Sequence, residues 1–214
     1  MNSRQRKDDS RGRLFVISAP SGAGKTRLIE ALLQRRSDAR FSISHTTREQ
    51  RPDEEDKIDY FFVDRDEFEK LIAGGAFLEY AAVFDRYYGT TRAQAESILG
   101  QGLDALLEID WQGAEQVRRL MPEAVCIFIL PPSRAELERR LKGRGTESEE
   151  SLQRRLGDSV ADMAHWDEFD YVIVNDDFER AVAALSEIMD GGGREHAADR
   201  PELAAVIREL LARD

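Results

Sequence analysis

The sequence predicts an α/β fold built around a mainly parallel, doubly wound β-sheet. Short apolar runs typical of buried strands alternate along the chain with longer segments whose apolar residues recur at helical spacing. A glycine-rich turn separates the first such strand from the first such helix. Because parallel strands need crossovers between them, this alternation favours a three-layer arrangement with helices on the faces of the sheet.

Composition limits the classes of protein to be considered. The chain has 214 residues, is 41% hydrophobic and has a net charge of −11, so it can bury a core but lacks the basic balance of a general nucleic-acid binder. No apolar run approaches the roughly 20 residues of a membrane-spanning helix, and the N-terminus has no apolar signal region. We expect a cytoplasmic protein with no nucleic-acid or membrane partner, as a monomer or homo-oligomer.

The cysteine and histidine content gives no indication of a transition-metal site. Cys126 is the single cysteine and lies within an apolar run, as expected of a buried hydrophobic side chain. The three histidines, His45, His165 and His196, do not show the paired spacings that zinc sites use. We therefore predict no such site.

The first elements are predicted from residues 1–47. Residues 1–12 are polar and charged, and are expected to form a disordered leader. Leu14–Ser18 is a predicted strand, which is followed by a turn and then by a helix with apolar residues at 28, 29, 32 and 33. Residues 41–47 are predicted to form a second strand that leads into a polar loop.

The turn after the first strand carries the strongest motif of the sequence. Its pattern fits GxxxxGK[ST] except that Ala19 holds the first glycine position. In this motif the backbone N–H groups surround the phosphates of ATP, the lysine neutralises phosphate charge, and the hydroxyl binds Mg²⁺. The predicted ATP-binding residues are therefore Ala19, Pro20, Ser21, Gly22, Ala23, Gly24, Lys25 and Thr26.

The pattern changes in the middle of the chain. Residues 60–90 contain short β-rich runs and one short helix that begins near Asp64, with Glu67 three residues later, which predicts a compact insertion of short strands. Further buried strands are predicted in residues 104–110, 125–130 and 170–174.

Two arginine-rich helices predict a mobile lid. Ser133 with Glu136, and Thr146 with Glu149, have the spacing of capping boxes at the starts of these helices, and the segment Gly143–Gly145 joins them. Residues 191–200 are typical of a flexible linker. An amphipathic helix within 201–213 is predicted from an apolar stripe made by Leu203, Val206, Ile207, Leu210 and Leu211.

From about Arg13 to Asp190, the order of these motifs resembles the guanylate kinase family. The matching pieces are SAPSGAGKT, SISHTTREQR, IDYFFV, FLEY, YYGT, LEIDWQG, PPSRAELERRLKGRGTESEESLQRRL and VIVNDD. The resemblance implies a P-loop fold that transfers the γ-phosphoryl group of ATP to GMP, giving ADP and GDP, with Mg²⁺ and in purine nucleotide metabolism; GMP or dGMP is left open. It implies a core of residues 13–43, 91–132 and 168–190, a GMP-binding insertion of 44–90 and a lid of 133–167, with 191–214 outside the resemblance.

The resemblance also assigns the binding of the GMP phosphate to Arg48, Arg51, Tyr60 and Tyr88. Guanidinium groups make charge-assisted, bidentate hydrogen bonds to a phosphate dianion, and phenol hydroxyls add neutral donors that fix its orientation. Without the phosphate-loop motif, the two arginines would be better explained as solvated charges of an acidic loop.

Recognition of the guanine base is implied for two carboxylates and two hydroxyls. The residues are Glu79 and Asp110, with Ser44 and Thr90. Guanine presents two donor groups and one acceptor along one edge, which such a set can satisfy. Read without the resemblance, Glu79 is an exposed strand residue and Asp110 caps a helix.

The lid and the ends of two strands complete the implied site. Arg140, Arg144 and Arg155 match the family's lid arginines, and act with Lys25 and Arg48 as the catalytic cations. Glu108 lies where P-loop enzymes keep an acid linked to the metal, and is expected to act with Thr26 on Mg²⁺ through water. The resemblance assigns Asn175 an adenine-side contact, although an Asn after a strand is also a common turn former.

Two departures and two rival functions remain open from the sequence. Ala19 replaces a glycine, and His45 stands where a small hydroxyl residue is expected. One rival is a kinase of the same shape that acts on another nucleotide or on a phosphorylated sugar. The other is a binding module without catalysis, since guanylate-kinase-like domains of scaffold proteins bind phosphopeptides. The presence of Lys25 and the lid arginines favours an enzyme.

Overall fold

The structure, a computed structural model, describes residues 11–83, 85–143 and 149–212. Its strands in this part of the chain are β1 (Leu14–Ser18), β2 (Ala39–Phe41), β3 (His45–Thr46), β4 (Phe61–Phe62), β5 (Phe77–Val83), β6 (Arg86–Thr91), β7 (Asp104–Glu108), β8 (Val125–Leu130) and β9 (Tyr171–Val174). Its helices are α1 (Lys25–Arg35), α2 (Arg65–Ala73), α3 (Arg92–Gly100), α4 (Trp111–Leu120), α5 (Arg134–Lys142), α6 (Glu149–Met163), α7 (Phe178–Met189) and α8 (Leu203–Leu211).

The strands form two sheets. The larger has the order β2-β7-β1-β8-β9, and its pairs β2–β7 and β8–β9 are parallel. The smaller has the order β4-β3-β6-β5, in which β3 runs parallel to β4 and antiparallel to β6. Because helices alternate with the strands of the larger sheet along the chain, the predicted α/β fold class is confirmed.

The predicted single strand over residues 41–47 is wrong in one respect, because the structure divides it between the two sheets. β2 ends at Phe41 in the larger sheet, and β3 begins at His45 in the smaller one. Ser42 N still donates to Leu106 O at 2.9 Å, whereas Ser44 O accepts from Phe61 N at 3.0 Å. The chain therefore changes sheets at residue 43, a change of partner that an unbroken β-rich pattern does not reveal.

The described residues divide into two compact units. The first comprises 11–15, 37–107 and 115–124, and the second 16–36, 108–114 and 125–212. In the first unit the buried Phe68 ring stacks on Phe77, with centroids 4.5 Å apart, and on Tyr87 at 5.2 Å. Asp64 caps α2 by accepting from Glu67 N at 2.7 Å, which confirms the predicted helix start.

The second unit has its own core. The fully buried Phe128 of β8 lies against Phe169, with ring centroids 4.8 Å apart, and α1 packs against α7. Ser133 caps α5 by accepting from Glu136 N at 3.2 Å, as its capping-box spacing predicts. The second predicted capping box begins at Thr146, outside the described residues.

The C-terminal segment is hydrogen-bonded to the second unit. Residues 194–196 form a 3₁₀ turn, Ala197 bridges to Tyr171, and Ala198 N donates to Asp170 O at 3.0 Å, where the sequence predicts a flexible linker. Helix α8 then packs on α6 and buries Leu203, Ile207 and Leu210 of the predicted stripe. None of the described helices has both the length and the apolar character needed to cross a membrane.

Candidate active site

The phosphate loop of the second unit lies between β1 and α1. Gly22 and Gly24 have φ angles of +89° and +95°, in the left-handed region that favours glycine. Lys57 is the only non-glycine residue with a positive φ among the described residues, so the position of Ala19 does not require a glycine. The substitution at the first motif position is therefore compatible with the turn.

Lys25 and Thr26, at the start of α1, lie next to the segment that follows β7. Lys25 Nζ donates to Ile109 O at 2.9 Å, and Thr26 Oγ1 donates to Glu108 Oε1 at 2.6 Å. A hydroxyl and a carboxylate side by side form the hard oxygen set that Mg²⁺ prefers. The structure therefore brings the two predicted metal residues together, and their chemistry fits the ion.

Arg140 of α5 is held against the phosphate loop by neutral acceptors and by one carboxylate. Its guanidinium donates to Ala23 O and to Asn175 O, both at 3.1 Å, and its Nε donates to Glu136 Oε1 at 2.7 Å. The buried Asn175 amide also donates to Ala23 O, at 2.7 Å. The Ala23 carbonyl of the loop thus accepts hydrogen bonds from both Arg140 and Asn175. The contact of Asn175 with adenine stays a prediction.

Glu136 has the largest pKa displacement that bears on this region. Hydrogen bonds from Arg139 and then Arg140 lower the pKa of Glu136 from its ordinary value of 4.5 to about 2. An acid that is ionised over the whole physiological range keeps Arg140 oriented toward the loop.

Helix α6 contacts the same loop through Ser21. Arg155 donates to Ser21 Oγ at 3.4 Å, and Ser159 Oγ donates to Ser21 O at 3.2 Å. Two of the three predicted lid arginines, Arg140 and Arg155, therefore adjoin the phosphate loop. The third, Arg144, lies outside the described residues.

In the first unit, Arg48 is paired with a carboxylate that the sequence interpretation did not include. Its two terminal nitrogens donate to both oxygens of Glu54, at 2.9 and 2.7 Å. The Arg48 and Glu54 side chains are only 17% and 13% exposed. The hydrogen bond between them raises the pKa of Arg48 and lowers the pKa of Glu54. A short, bidentate pair of this kind fixes the plane of the guanidinium.

Glu54 also organises the loop that contains Arg51. Arg51 N donates to Glu54 Oε2 at 2.9 Å, while the exposed Arg51 guanidinium lies 3.8 Å from Glu54 Oε1. The spacing of Arg48, Arg51 and Glu54, at i, i+3 and i+6, is the signal from which this acid could have been predicted. It was missed because an acid in a charged loop carries little information by itself.

The two predicted tyrosines lie beside Arg48. The Arg48 guanidinium is 5.4 Å from the centroid of the Tyr60 ring, and the nearby Tyr88 adds to the hydrogen bond with Glu54 in raising the pKa of Arg48. The rings of the two tyrosines are 6.2 Å apart. The structure therefore brings together Arg48, Tyr60 and Tyr88, with Arg51 following in the same loop.

Three of the four residues predicted for the base, Ser44, Glu79 and Thr90, belong to the first unit. Ser44 Oγ and Thr90 Oγ1 are 3.1 Å apart. Glu79 is paired with Thr90 across β5 and β6, and it is only 6% exposed. A buried glutamate contradicts the alternative of an exposed strand residue and instead suits a carboxylate that receives a ligand's donors.

Asp110 belongs to the second unit, where it follows β7. Its Oδ1 accepts from Gly113 N at 2.8 Å and so caps the first turn of α4. Asp110 therefore does cap a helix, as the alternative interpretation expected, but it uses only Oδ1 to do so. Within the described residues, no hydrogen bond is assigned to Oδ2.

His45 has an apolar environment instead of a place among the hydroxyls. Its ring stacks on Phe61 with centroids 4.6 Å apart and meets Phe77 edge-on at 5.9 Å. Burial lowers the pKa of His45. The histidine that replaces the expected small hydroxyl residue is thus accommodated by packing against two aromatic rings.

One cluster of acidic and histidine side chains in the described part of the chain could offer ligands to a metal ion. It consists of Glu187, Glu195 and His196, whose potential ligand atoms lie within 4.8 Å of one another, and both glutamates are exposed. Exposed acids often converge without a metal, so this group supports no site by itself. It shares no residue with the predicted Mg²⁺ site at Thr26 and Glu108.

Known proteins resemble this chain over nearly its whole length. The sequence profile of the guanylate kinase family matches residues 11–191. The chain is 53% identical to a guanylate kinase of Methylococcus capsulatus over 202 residues, which cover 94% of this chain and 99% of that protein. It is 50% identical to a guanylate kinase of Alkalilimnicola ehrlichii over 200 residues, which cover 94% and 98% of the two proteins.

A solved structure shows the same similarity. The crystal structure of guanylate kinase from Anaplasma phagocytophilum matches with a TM-score of 0.67 and 32% sequence identity, and the match covers 95% of this chain and 98% of that chain. The similarity is therefore not confined to the phosphate-loop motif.

Proposed function

The chain belongs to the guanylate kinase family, and from that premise we propose how its residues divide the transfer of the γ-phosphoryl group from ATP to GMP. The products are ADP and GDP. The observation that carries the assignment to GMP is the buried Glu79 beside the Ser44 and Thr90 hydroxyls. A cytoplasmic location, where both nucleotides are plentiful, is part of the proposal, and cell fractionation tests it.

The phosphate loop and Lys25 bind the ATP phosphates. Loop N–H groups and the N-terminus of α1 supply partial positive charge, and Lys25 adds a full charge. The contact from Lys25 to Ile109 O fixes where this charge lies before ATP arrives. Ser21, which Arg155 and Ser159 contact, ties the loop to α6.

Thr26 and Glu108 are the residues that would hold Mg²⁺, with water between the ion and the carboxylate. Bound there, the ion would neutralise charge on the phosphates of ATP. The oxygen donors of both side chains fit this hard cation.

Arg48, Arg51, Tyr60 and Tyr88 bind the phosphate of GMP. Glu54 holds Arg48 by its two terminal nitrogens and so presents the rest of the guanidinium in a fixed plane. The tyrosines add uncharged hydroxyl donors. This arrangement selects an acceptor with a phosphate dianion over a nucleoside.

Glu79 and Asp110 accept hydrogen bonds from the guanine N1–H and 2-amino groups, and the Ser44 and Thr90 hydroxyls face its oxygen. Adenine would leave these acceptors unpaired. A site built to satisfy such groups rejects an analogue that lacks them by a factor on the order of 10⁴, so AMP is a poor acceptor. Inosine monophosphate, which lacks only the 2-amino group, is expected to be intermediate.

Transfer needs neither a covalent intermediate nor a general base, because the GMP phosphate is already an anionic nucleophile at neutral pH. Catalysis consists of alignment and charge neutralisation. Arg140 and Arg155 provide positive charge next to the loop, and Arg144 is assigned the same role from the family pattern. Exclusion of water from the closed site prevents hydrolysis of ATP.

A substrate panel tests the proposal. ADP release is measured with GMP, dGMP, AMP, CMP, UMP and ribose bisphosphate as acceptors at equal concentration. Activity with GMP and near-background rates with AMP and ribose bisphosphate are expected. Equal rates with GMP and AMP would contradict the assignment of Glu79 and Asp110 to the base.

A further inference from the structure

The residue after Asp110 is held by two side chains from the end of α6. Trp111, the first residue of α4, stacks its ring on the His165 imidazole, with centroids 3.4 Å apart and planes 8° from parallel. The Asp162 carboxylate is a second neighbour, whose pKa is raised by burial and lowered by the nearby Trp111 indole. The imidazole thus covers the face of the indole, and the N–H is the one polar group that the indole can direct toward Asp162.

The two residues that hold Trp111 are themselves fixed. His165 Nδ1 lies 2.6 Å from Glu168 Oε1, and His165 N donates to Asp162 O at 3.3 Å. Burial raises the pKa of Asp162, and the charges of Asp110 and Asp158 add to this, while Trp111 and His165 oppose it. The environment of this half-buried carboxylate therefore includes both Asp110 and the two rings of the stack.

The same helix contacts the phosphate loop one turn earlier. Ser159 donates to the Ser21 carbonyl, and Arg155 donates to the Ser21 hydroxyl. Helix α6 thus contacts the loop proposed to bind ATP and, through Asp162, the residue next to an acid proposed to bind guanine.

The proposed contact of Asp110 with guanine depends on the direction in which its carboxylate points. Gly113 N occupies Oδ1, which leaves Oδ2 to receive a donor from the base. A rotation of the backbone at residues 110 and 111 would turn Oδ2 away from the base, and a hydrogen bond weakens steeply with misalignment. Trp111 is the side chain whose contacts resist that rotation.

We propose that Trp111 is a positioning residue for guanine recognition: its contacts with Asp162 and His165 hold the Asp110 carboxylate in place and connect it to α6. This rests on the proposed role of Asp110 in binding GMP. Neither Trp111 nor Asp162 touches the nucleotides in this scheme, so both act through Asp110.

The primary test is Trp111→Phe, which reduces the ring area that stacks on His165 and removes the N–H group near Asp162. We expect the KM for GMP to rise about fivefold to tenfold, as expected for weakening the contacts that hold Asp110, with kcat and the KM for ATP within twofold of wild type. Asp162→Asn keeps an acceptor and is expected to show a smaller rise. Trp166→Phe, which alters the other tryptophan, is the matched control and is expected to leave the KM for GMP unchanged.

A double-mutant cycle with Asp110→Asn separates positioning from packing. If Trp111 acts through Asp110, adding Trp111→Phe to Asp110→Asn raises the KM for GMP by less than twofold. Equal effects of Trp111→Phe in both backgrounds, or a fall in kcat and thermal stability without a change in KM, would overturn the inference while leaving Asp110 in its role.

The cycle also distinguishes a failure of the underlying assignment. If Asp110→Asn alone leaves the KM for GMP unchanged, the proposed role of Asp110 is wrong and the inference fails with it. If Asp110→Asn weakens GMP binding and Trp111→Phe does not, only the inference fails.

Discussion

The two regions proposed to bind phosphate groups differ in what holds their cations. In the second unit, Lys25 donates to a backbone carbonyl and Arg155 to a hydroxyl, while Arg140 donates to two carbonyls and to the Glu136 carboxylate. In the first unit, Arg48 is gripped by both oxygens of the Glu54 carboxylate, and Arg51 lies beside the same acid. Arg48 thus gives up charge to gain a fixed orientation, whereas Lys25 has a backbone carbonyl among its partners.

This difference has a consequence for the two substrates. A neutral acceptor positions a cation without cancelling its field, which suits the neutralisation of the several charges of ATP. A carboxylate partner reduces the attraction for an anion but lowers the conformational freedom lost when the anion binds. We therefore expect the loss of Lys25 to act mainly through its charge, and changes at Arg48 to act mainly through its geometry.

The largest effect is expected where charge is essential. Lys25→Met removes a full charge at the ATP phosphates, and kcat is expected to fall by about 10²-fold or more, because phosphoryl transfer relies on electrostatic stabilisation. ADP formation at saturating ATP and GMP measures it. Lys70→Met, at an exposed position on α2, is the control and should retain wild-type kcat. A Lys25→Met enzyme within threefold of wild type would remove charge as the basis of the contrast.

Arg48→Lys tests geometry in the other region, since it keeps the charge and removes the fork. The KM for GMP is expected to rise about tenfold with a smaller change in kcat, because lysine cannot form the bidentate contacts. Steady-state kinetics and calorimetric titration of GMP measure the change. Arg65→Lys, which alters an arginine paired with Glu69 on α2, should have no effect. Full GMP affinity in Arg48→Lys would show that charge alone is sufficient here too.

Glu54→Gln separates the two roles that an acid can have beside Arg48. If Glu54 orients the guanidinium, the amide holds it less firmly and the KM for GMP rises about threefold, the scale of one weakened hydrogen bond. If Glu54 instead competes with the GMP phosphate, the KM falls. The first outcome is expected, and the second would invert the interpretation of the GMP region.

The two regions also differ in how far they can be predicted from sequence. The phosphate loop is one contiguous motif whose positive-φ turn requires glycine at Gly22 and Gly24, so local chemistry predicts it. The main strands and most helix starts follow from apolar runs and caps in the same way. The residues proposed to bind GMP come from separate segments, and only the family resemblance connected Glu79 with Thr90 and Ser44.

Contacts made by the tertiary fold were not predictable. Nothing local indicates that Asn175 donates to the loop carbonyl of Ala23 or that Trp111 stacks on His165. For the pair of Arg48 and Glu54, the spacing within one charged loop is only a weak signal. The sheet change after Phe41 was missed for the same reason, because strand propensity depends on the partner that the strand meets.

The smallest effect concerns Glu136, the carboxylate that contacts Arg140 near the phosphate loop. Its pKa is lowered from 4.5 to about 2, so the pair contributes stability above pH 4.5 and loses it as the pH falls toward 2. Glu136→Gln lacks this contribution; its thermal midpoint should be lower than that of wild type at pH 6, and the two should converge between pH 4.5 and 2. Glu138→Gln, on the same helix, is the control. A constant difference across this range would show that Glu136 acts through packing and not through its charge.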